Sequence, residues 1–270
     1  MSLPTVLGDS AVVAKRNLIK IKRVPDLLVF TTIQPIMFVL LFAYVFGGAI
    51  DPTGGGAAYR EFLIAGIFAQ TVVFGATITG AGLADDVKKG IIDRFRSLPM
   101  SPSAVLAGRT LSDVANNLIV LVVMGLTGLV VGWRVRTSPL EAVLGFLLLL
   151  LFAYALSWVM AWLGMLVPTV EVLNNAAFVV IFPLTFVANT FVPLQALPGP
   201  LRVFAEWNPI SAVTQAARNL FGNPNPDPRA VDPTAWSLVH PALYTLLWAL
   251  VIMAIFIPLA NAQYRRSTSR

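Results

Sequence analysis

The stretch "FLIAGIFAQTVVFGATITGAGLADDVKKGIIDRFR", residues 62–96, places a long uncharged run directly before a strongly charged segment. Residues 62–83 carry no charged side chain. A helix needs about 20 apolar residues to cross a hydrocarbon core about 30 Å thick. Five Lys and Arg residues lie between Asp85 and Arg109, ahead of the next apolar run. The stretch therefore predicts a membrane-spanning helix followed by a charged segment at the membrane surface.

Composition supports the same class for the whole chain. The 270 residues are 57% hydrophobic and only 12% charged, and the mean hydropathy is +0.79. The net charge is +6, and the basic residues cluster beside apolar runs, which suits anionic lipid better than nucleic acid. The absence of cysteine excludes disulfides and thiolate chemistry. We interpret the chain as an integral membrane protein.

Six apolar runs are long enough to span a bilayer. They are residues 28–46, 62–83, 111–133, 140–167, 172–192 and 241–260. Each must be helical, because backbone amides in lipid have to be satisfied within their own segment. The sequence thus predicts an all-α membrane protein with six transmembrane helices in a domain of residues 28–260, followed by a cytoplasmic tail of residues 261–270.

Basic residues predict the orientation of this domain. With the N-terminus inside, the N-terminal segment places five of the nineteen Lys and Arg residues in the cytoplasm, residues 85–109 five, and the tail three. The positive-inside rule then makes both termini cytoplasmic. Arg134 and Arg136 fall in an outer loop against that rule, and Glu141 is expected to offset them.

The N-terminal segment, residues 1–27, precedes the first span. Between Ser10 and Val24, apolar residues alternate with Lys and Arg, a pattern typical of an amphipathic helix lying in the headgroup layer. The segment is either a plain topological anchor or an element that binds a partner, and the pattern leaves both interpretations open.

Residues 85–101 form the charged connection after the second span. Val87, Ile91, Ile92 and Phe95 recur at helical spacing, and two prolines then stop the pattern. We expect Asp85 and Asp86 in the first turn of this helix, where the helix dipole favours acids. After the prolines, Arg109 and Asp113 form an (i, i+4) pair. A solvated loop rarely carries a phased apolar face, so we favour a cytoplasmic docking helix.

Two patches carry a family resemblance. "DRFRSLPMSPSAVLAGRTLSDVANN", residues 93–117, and "WNPISAVTQAARNLF", residues 207–221, resemble export permeases of the second ABC type, particularly the daunorubicin-resistance subfamily. The resemblance extends over nearly the whole chain. It implies a multi-pass subunit of the bacterial cytoplasmic (inner) membrane that works with a second permease subunit, as a homodimer or heterodimer, and with an ATP-binding cassette ATPase.

In this resemblance, residues 85–101 dock the ATPase subunit. The residues assigned to coupling are Asp85, Asp86, Lys88, Lys89, Arg94, Phe95, Arg96, Leu98, Pro99 and Ser101, with Thr169 and Glu171 in the next inner connection. Thr169 and Glu171 fit an ordinary helix start equally well.

Nucleotide and metal chemistry are expected outside this chain. The sequence contains no G-x-x-x-x-G-K-[ST] loop, so ATP and Mg²⁺ would be bound by the partner subunit. His240 is the single histidine, which rules out a paired-histidine metal site and a Ser-His arrangement. We expect no cofactor, no metal and no catalytic residue in this chain.

Residues 194–221 form an unusual segment before the last predicted span. They are too apolar for a solvated loop and too interrupted by proline to span. A pair of short re-entrant helices in the outer leaflet fits better. We predict an outer gate that includes Asn208, Pro209 and Arg218, with Asn208 and Arg218 as capping or pairing groups.

The predicted spans are lined by aromatic rings and neutral amides. Neutral amides usually bond neighbouring helices, and aromatic residues usually face lipid or pack, but together they would suit a hydrophobic or amphipathic cargo. The candidates for a substrate pathway or dimer interface are Phe42, Phe46, Phe68, Gln70, Phe74, Phe178, Phe182, Phe186 and Asn189. The cargo could be a drug, a lipid or a lipid-linked glycan. An ion-coupled secondary carrier and a non-transporting membrane assembly factor are the alternative functions.

Small residues and one proline bear on helix packing. Ala65, Ala69, Ala76 and Gly80 follow small-x-x-x-small spacing, which allows close helix approach. Pro183 should kink the fifth span, either as a hinge or simply as shape.

Overall fold

A computed structural model of the chain describes residues 25–46, 56–92, 102–191, 194–225 and 233–266. The described residues form helices, and no strand occurs among them. The predicted N-terminal interfacial helix, the coupling residues 93–101 and the last four residues lie outside the described ranges.

Ten α-helices follow one another along the described ranges. They are α1 Pro25–Leu40, α2 Ala57–Gly75, α3 Thr77–Lys88, α4 Pro102–Val131, α5 Pro139–Gly164, α6 Val170–Phe186, α7 Gly199–Trp207, α8 Pro209–Phe221, α9 Trp236–Val239 and α10 Pro241–Arg266. Helix α1 continues as a π-helical turn, Leu41–Phe46, and a 3₁₀ turn covers Leu194–Ala196.

Four helical stretches are long and apolar enough to cross a membrane. They are Ala58–Lys88, which combines α2 and α3, Ala104–Val131, Pro139–Gly164 and Pro241–Arg266. The first and fifth predicted spans coincide with shorter apolar helices, Ile33–Val45 and Val170–Phe186. The all-helical membrane class is confirmed.

The helix ends follow local sequence signals. Ser138 and Glu141 form a capping box at the start of α5, with Pro139 in the first turn. The Glu141 carboxylate accepts hydrogen bonds from Ser138, whereas Arg136 pairs with Glu61, so a partial offset of the loop arginines by Glu141 stays a prediction. Thr169 caps α6 through the backbone N–H of Val172.

Small residues bring α3 and α5 close together. A Cβ atom at Gly164 would lie 2.3 Å from the carbonyl oxygen of Gly80. This distance is far below van der Waals contact, so the approach requires glycine. Ala65, Ala69 and Ala76 are fully buried inside the chain. Gly80 thus confirms that small residues allow close helix approach.

Helix α4 defines two ends of the bundle. At its N-terminus, which we call the Arg109 end, one apolar cluster joins α3, α4, α5 and α10 around Leu83, Leu106, Trp158 and Tyr264. The other end, which we call the Arg218 end, contains α7, α8 and the connection Trp133–Ser138. The larger core lies between them and includes Phe68 and Phe152.

The structure corrects the expected start of the docking helix. Asp85 and Asp86 lie in the last turn of α3, which runs to Lys88, and not in the first turn of a new helix. Gly90 adopts φ +65°, a left-handed conformation that stops the helix. Apolar residues continue the periodicity of the span past Leu83, so the helix goes on until that glycine.

Candidate functional site

A buried charge cluster joins α3 and α4 at the Arg109 end. Arg109 Nε lies 3.3 Å from Asp113 Oδ2, which confirms the predicted (i, i+4) pair. Arg109 Nη1 lies 3.8 Å from Asp86 Oδ2, and Nη2 donates to the carbonyl of Ile78 at 3.3 Å. The Thr79 hydroxyl donates to Asp113 at 2.7 Å. One guanidinium therefore binds groups on both helices that flank residues 89–101.

Gly82 makes room for this guanidinium. A Cβ atom at Gly82 would lie 1.7 Å from Arg109 Nη2, so any larger residue would displace the arginine. The pairing also explains how acids are tolerated at the end of α3, where the helix dipole disfavours them. Asp86 contacts Arg109, and Asp85 pairs with Lys89 at 2.7 Å.

The structure brings part of the predicted coupling set together. Helix α3 packs against α6, so Lys88 at the end of α3 lies near the α6 start, where Thr169 and Glu171 are found. Lys89 is exposed, and its hydrogen bond to Asp85 raises the pKa of its ammonium group. Thr169 caps α6, and contact of Thr169 and Glu171 with a partner stays a prediction. The remaining coupling residues lie outside the described ranges: Arg94, Phe95, Arg96, Leu98, Pro99 and Ser101.

A cavity of about 170 Å³ lies between α1, the α2–α3 pair and α4. Gln70 and Phe74, both predicted for the pathway, line it, together with Gln34, Thr71 and Asn116. Its lining mixes neutral polar groups with aromatic rings. The structure thus provides a space, open at Gln34, in which an uncharged molecule could meet both kinds of surface.

Aromatic rings form a continuous row along α6 and α1. Phe178, Phe182 and Phe186 follow at one-turn spacing, with ring centroids 4.9 and 4.3 Å apart. Phe191 then contacts Phe186 at 5.0 Å and Phe42 at 4.5 Å. The three rings on α6 are between 37% and 53% exposed, so this face has no covering element among the described residues.

Phe68, also predicted for the pathway, lies elsewhere in the bundle. Phe68 is fully buried and packs against Trp133, Phe146 and Phe221 in the core, so it is not part of the exposed row. Phe46 ends the π-helical turn after α1, and its side chain is outside the described set.

Arg218 holds the opposite end of the bundle together. Its side chain is 1% exposed. It donates from Nε to the carbonyl of Phe62 at 3.0 Å, from Nη1 to Asn189 at 2.7 Å and from Nη2 to Thr190 at 2.9 Å. The guanidinium also lies 3.4 Å above the Phe62 ring. One side chain on α8 therefore binds both α2 and the segment that follows α6.

The predicted re-entrant segment consists of two short helices, α7 and α8, joined at Asn208. The Asn208 side chain caps α8 by accepting from the Ile210 N–H at 2.9 Å and donates to the Leu184 carbonyl at 2.8 Å. Pro209 occupies the first turn of α8. Asn189 donates to Gln215 at 3.2 Å, so it belongs to this end. The capping role of Asn208 and the pairing role of Arg218 are both confirmed.

The connection after α4 docks on the C-terminus of α8, which sequence reasoning missed. Arg136 Nη2 lies 2.8 Å from Glu61 Oε1, and this contact raises the pKa of the arginine. Trp133 Nε1 donates to Asn223 at 2.7 Å, and the Arg136 N–H donates to the Phe221 carbonyl at 2.8 Å. The only sequence signal was the pair of arginines that violate the positive-inside rule, since an outer arginine needs a local partner.

The described residues contain no group of three or more His, Cys, Asp or Glu side chains that could hold a metal ion. Their chemistry consists instead of two buried arginine centres, one cavity and one aromatic face.

Residues 10–221 match the family described as "ABC-2 type transporter". The chain is 34% identical over 207 residues to the daunorubicin resistance ABC transporter permease protein DrrB1 of Streptomyces coeruleorubidus, covering 76% of this chain and 72% of that protein. It is 24% identical over 247 residues to the probable doxorubicin resistance ABC transporter permease protein DrrC of Mycobacterium tuberculosis, covering 88% and 83%. It is also 24% identical to the inner membrane transport permease YadH of Escherichia coli, covering 86% and 91%.

Proposed function

This chain belongs to the ABC-2 type transporter family and is the membrane permease subunit of an ATP-binding cassette exporter; we propose that a separate ATPase subunit, which binds ATP and Mg²⁺, drives it through residues 85–101. The cargo in this proposal is hydrophobic or amphipathic and moves outward. The drug-resistance names of the relatives favour a drug-like molecule over a lipid or a lipid-linked glycan.

The observation that carries the proposal is the position of the Arg109 cluster. Residues 89–101 connect α3 to α4, and Arg109 contacts Asp86 and the Ile78 carbonyl on one side and Asp113 on the other. A displacement of the connection therefore moves the ends of both helices together. This polar contact adds to the apolar packing of Leu83 and Leu106 that also joins the two helix ends.

The displacement can reach the opposite end through α4. This helix has 30 residues and is therefore roughly 45 Å long. Its C-terminal connection bonds to the end of α8 through the Arg136 N–H and the Phe221 carbonyl, and to Asn223 just beyond it through Trp133. Helix α8 in turn carries Arg218. The contacts support a mechanical route from the ATPase-docking segment to the proposed outer gate formed by α7 and α8.

We place the chain in a bacterial inner membrane with six spans and both termini in the cytoplasm. The two shorter apolar helices, Ile33–Val45 and Val170–Phe186, supply the first and fifth spans. The exposed row of Phe178, Phe182 and Phe186 is the face proposed to meet a second permease subunit, because large apolar surfaces of this kind mark interaction sites.

The proposal is tested by reversing the charge of the docking segment. Arg94→Glu with Arg96→Glu should abolish copurification of the cassette ATPase and vanadate-sensitive export from reconstituted vesicles. Arg265→Glu with Arg266→Glu is the matched control, because it changes the net charge equally at the end of α10. ATPase binding and export that survive in the Arg94 and Arg96 variant would refute the docking role.

A further inference from the structure

The cavity between α1, α2 and α4 lies halfway along two of the helices that are long enough to span a membrane. Thr71 is near the middle of the span Ala58–Lys88, and Asn116 is near the middle of Ala104–Val131. Gln34 of α1 also lines the cavity and is exposed, so the cavity reaches the surface of the chain at that helix. The described lining residues include no charged side chain. We call this space the α1–α4 cavity.

Two polar atoms at this cavity are buried without a partner. Thr71 is 7% exposed and Asn116 is 3% exposed, and neither Thr71 Oγ1 nor Asn116 Oδ1 has a hydrogen-bond partner within the described part of the chain. Two other buried threonines, Thr214 and Thr245, each donate to the carbonyl one turn earlier, whereas the hydroxyl of Thr190 at the Arg218 end is also unpaired. Buried polar atoms normally have partners, so two unpaired atoms at one cavity indicate a missing ligand group.

The two atoms define the chemistry of that group. An amide oxygen can only accept a hydrogen bond, whereas a threonine hydroxyl can also donate one. A ligand hydroxyl can donate to Asn116 and accept from Thr71 at the same time. A carbonyl, such as that of a lipid ester, could not satisfy Asn116 because it has no hydrogen to donate.

The volume limits the size of the group. An engineered apolar cavity of about 150 Å³ takes up benzene, so about 170 Å³ holds one ring but not a whole drug-sized molecule. The aromatic side chains of Phe38 and Phe74 supply flat apolar walls for such a ring.

We propose that the α1–α4 cavity binds an uncharged, hydroxylated ring, with Thr71 and Asn116 as its hydrogen-bonding residues, and that this ring is one part of the exported cargo. That this ring belongs to an exported cargo rests on the proposed function, whereas the binding of the ring does not depend on it. The remainder of the molecule extends past Gln34 toward the surface of α1.

Binding is tested with phenol on the full-length chain in phosphatidylcholine nanodiscs. A diazirine-bearing phenol should label peptides of α1, α2 and α4, and unlabelled phenol should compete at least about tenfold better than benzene, because benzene leaves both polar atoms unpaired. Equal competition by phenol and benzene would show an unspecific apolar space and overturn the proposal. Absence of labelling at saturating probe would show a cavity that holds water only, and would also overturn it.

Variants locate the binding at the two residues. Thr71→Val and Asn116→Leu should each weaken phenol binding about five- to tenfold without lowering the unfolding temperature, because neither residue loses a bond within the protein. Thr245→Val is the matched control, since Thr245 is equally buried but lies on α10 and bonds to Pro241. Unchanged phenol affinity in both cavity variants would refute the assignment.

Export by the complete transporter separates the two proposals. The Thr71→Val, Asn116→Leu double variant should lose most export of a hydroxylated cargo while the ATPase subunit still copurifies. Full export despite lost phenol binding would overturn the cargo role and leave the proposed function intact. Export that needs no ATPase would instead refute the proposed function and leave the binding result standing.

Discussion

Replacing Arg218 with methionine should destabilise the chain more than any other single arginine substitution that we consider. Methionine keeps the length of the side chain but removes all three hydrogen bonds to Phe62, Asn189 and Thr190. The Phe62 carbonyl lies inside α2 and keeps a helical donor, whereas Asn189 and Thr190 lie beyond the end of α6. Two buried carbonyls are therefore left without their side-chain donor.

The magnitude follows from these two carbonyls. A buried acceptor left unpaired costs about 1–3 kcal/mol, and the contact with the Phe62 ring is lost as well. Part of this loss of stability is offset, because the variant no longer buries a guanidinium that has no carboxylate partner among the described residues. We expect a loss of about 3 kcal/mol, which corresponds to an unfolding temperature about 6 to 12 °C lower.

The assay is thermal unfolding of the purified chain in detergent. Arg202→Met is the control, because the Arg202 side chain is 43% exposed in its pair with Glu206, and its unfolding temperature should change by less than about 2 °C. Arg218→Lys should fall between the two, since one ammonium cannot reproduce the fork of a guanidinium. Equal unfolding temperatures for Arg218→Met and Arg202→Met would refute the reasoning.

Three further predictions test the other contacts. Gly164→Ala should lower the unfolding temperature by several degrees, because its Cβ would lie 2.3 Å from the Gly80 oxygen. Gly125→Ala is the control, since its Cβ would point into open space and the unfolding temperature should not fall. Equal unfolding temperatures for the two variants would contradict the close approach of α3 and α5. Glu61→Gln should speed amide hydrogen exchange in residues 133–138, with Glu206→Gln as the control, and unchanged exchange would show that the pair does not hold the loop. Because Glu61 raises the pKa of Arg136 above its ordinary value, alkaline pH in the working range should not release that arginine. Asp86→Asn should reduce export while ATP hydrolysis by the complex continues. Glu141→Gln is the control, because Glu141 lies outside the proposed coupling set and glutamine can keep its capping box. Full export by the Asp86 variant would disprove coupling through Arg109.

The positions of the helices could be predicted from the sequence because their signals are local. Apolar length placed helices at all six runs, and the Arg109 and Asp113 pair followed from helical spacing alone. The wrong start of the docking helix has a local cause too. The two acids predict a first turn, whereas the left-handed backbone of Gly90 ends α3 just after them.

The partners of the polar side chains could not be predicted, because they are distant in sequence. Arg218 and Phe62 are 156 positions apart, Trp133 and Asn223 are 90 apart, and Arg136 and Glu61 are 75 apart. Composition places such residues near a membrane surface but does not pair them. The unpaired Thr71 is equally invisible in sequence, since threonine in a helix usually bonds to its own preceding turn.

The two buried arginines have different partners and therefore stabilise the bundle in different ways. Arg109 binds carboxylates and a carbonyl where α3 and α4 meet, so it joins two helix ends into one unit. Arg218 donates its hydrogen bonds to backbone carbonyls, which cannot be neutralised by protonation, so these bonds hold at any pH at which arginine is charged. The connection after α4 is bonded to the end of α8, and Arg218 joins α8 to the residues after α6. We propose that a shift at the Arg109 end is passed along these contacts to the aromatic face of α6. The arrangement requires rigid helices and specific end contacts, and the end contacts are where substitutions should uncouple ATP hydrolysis from export.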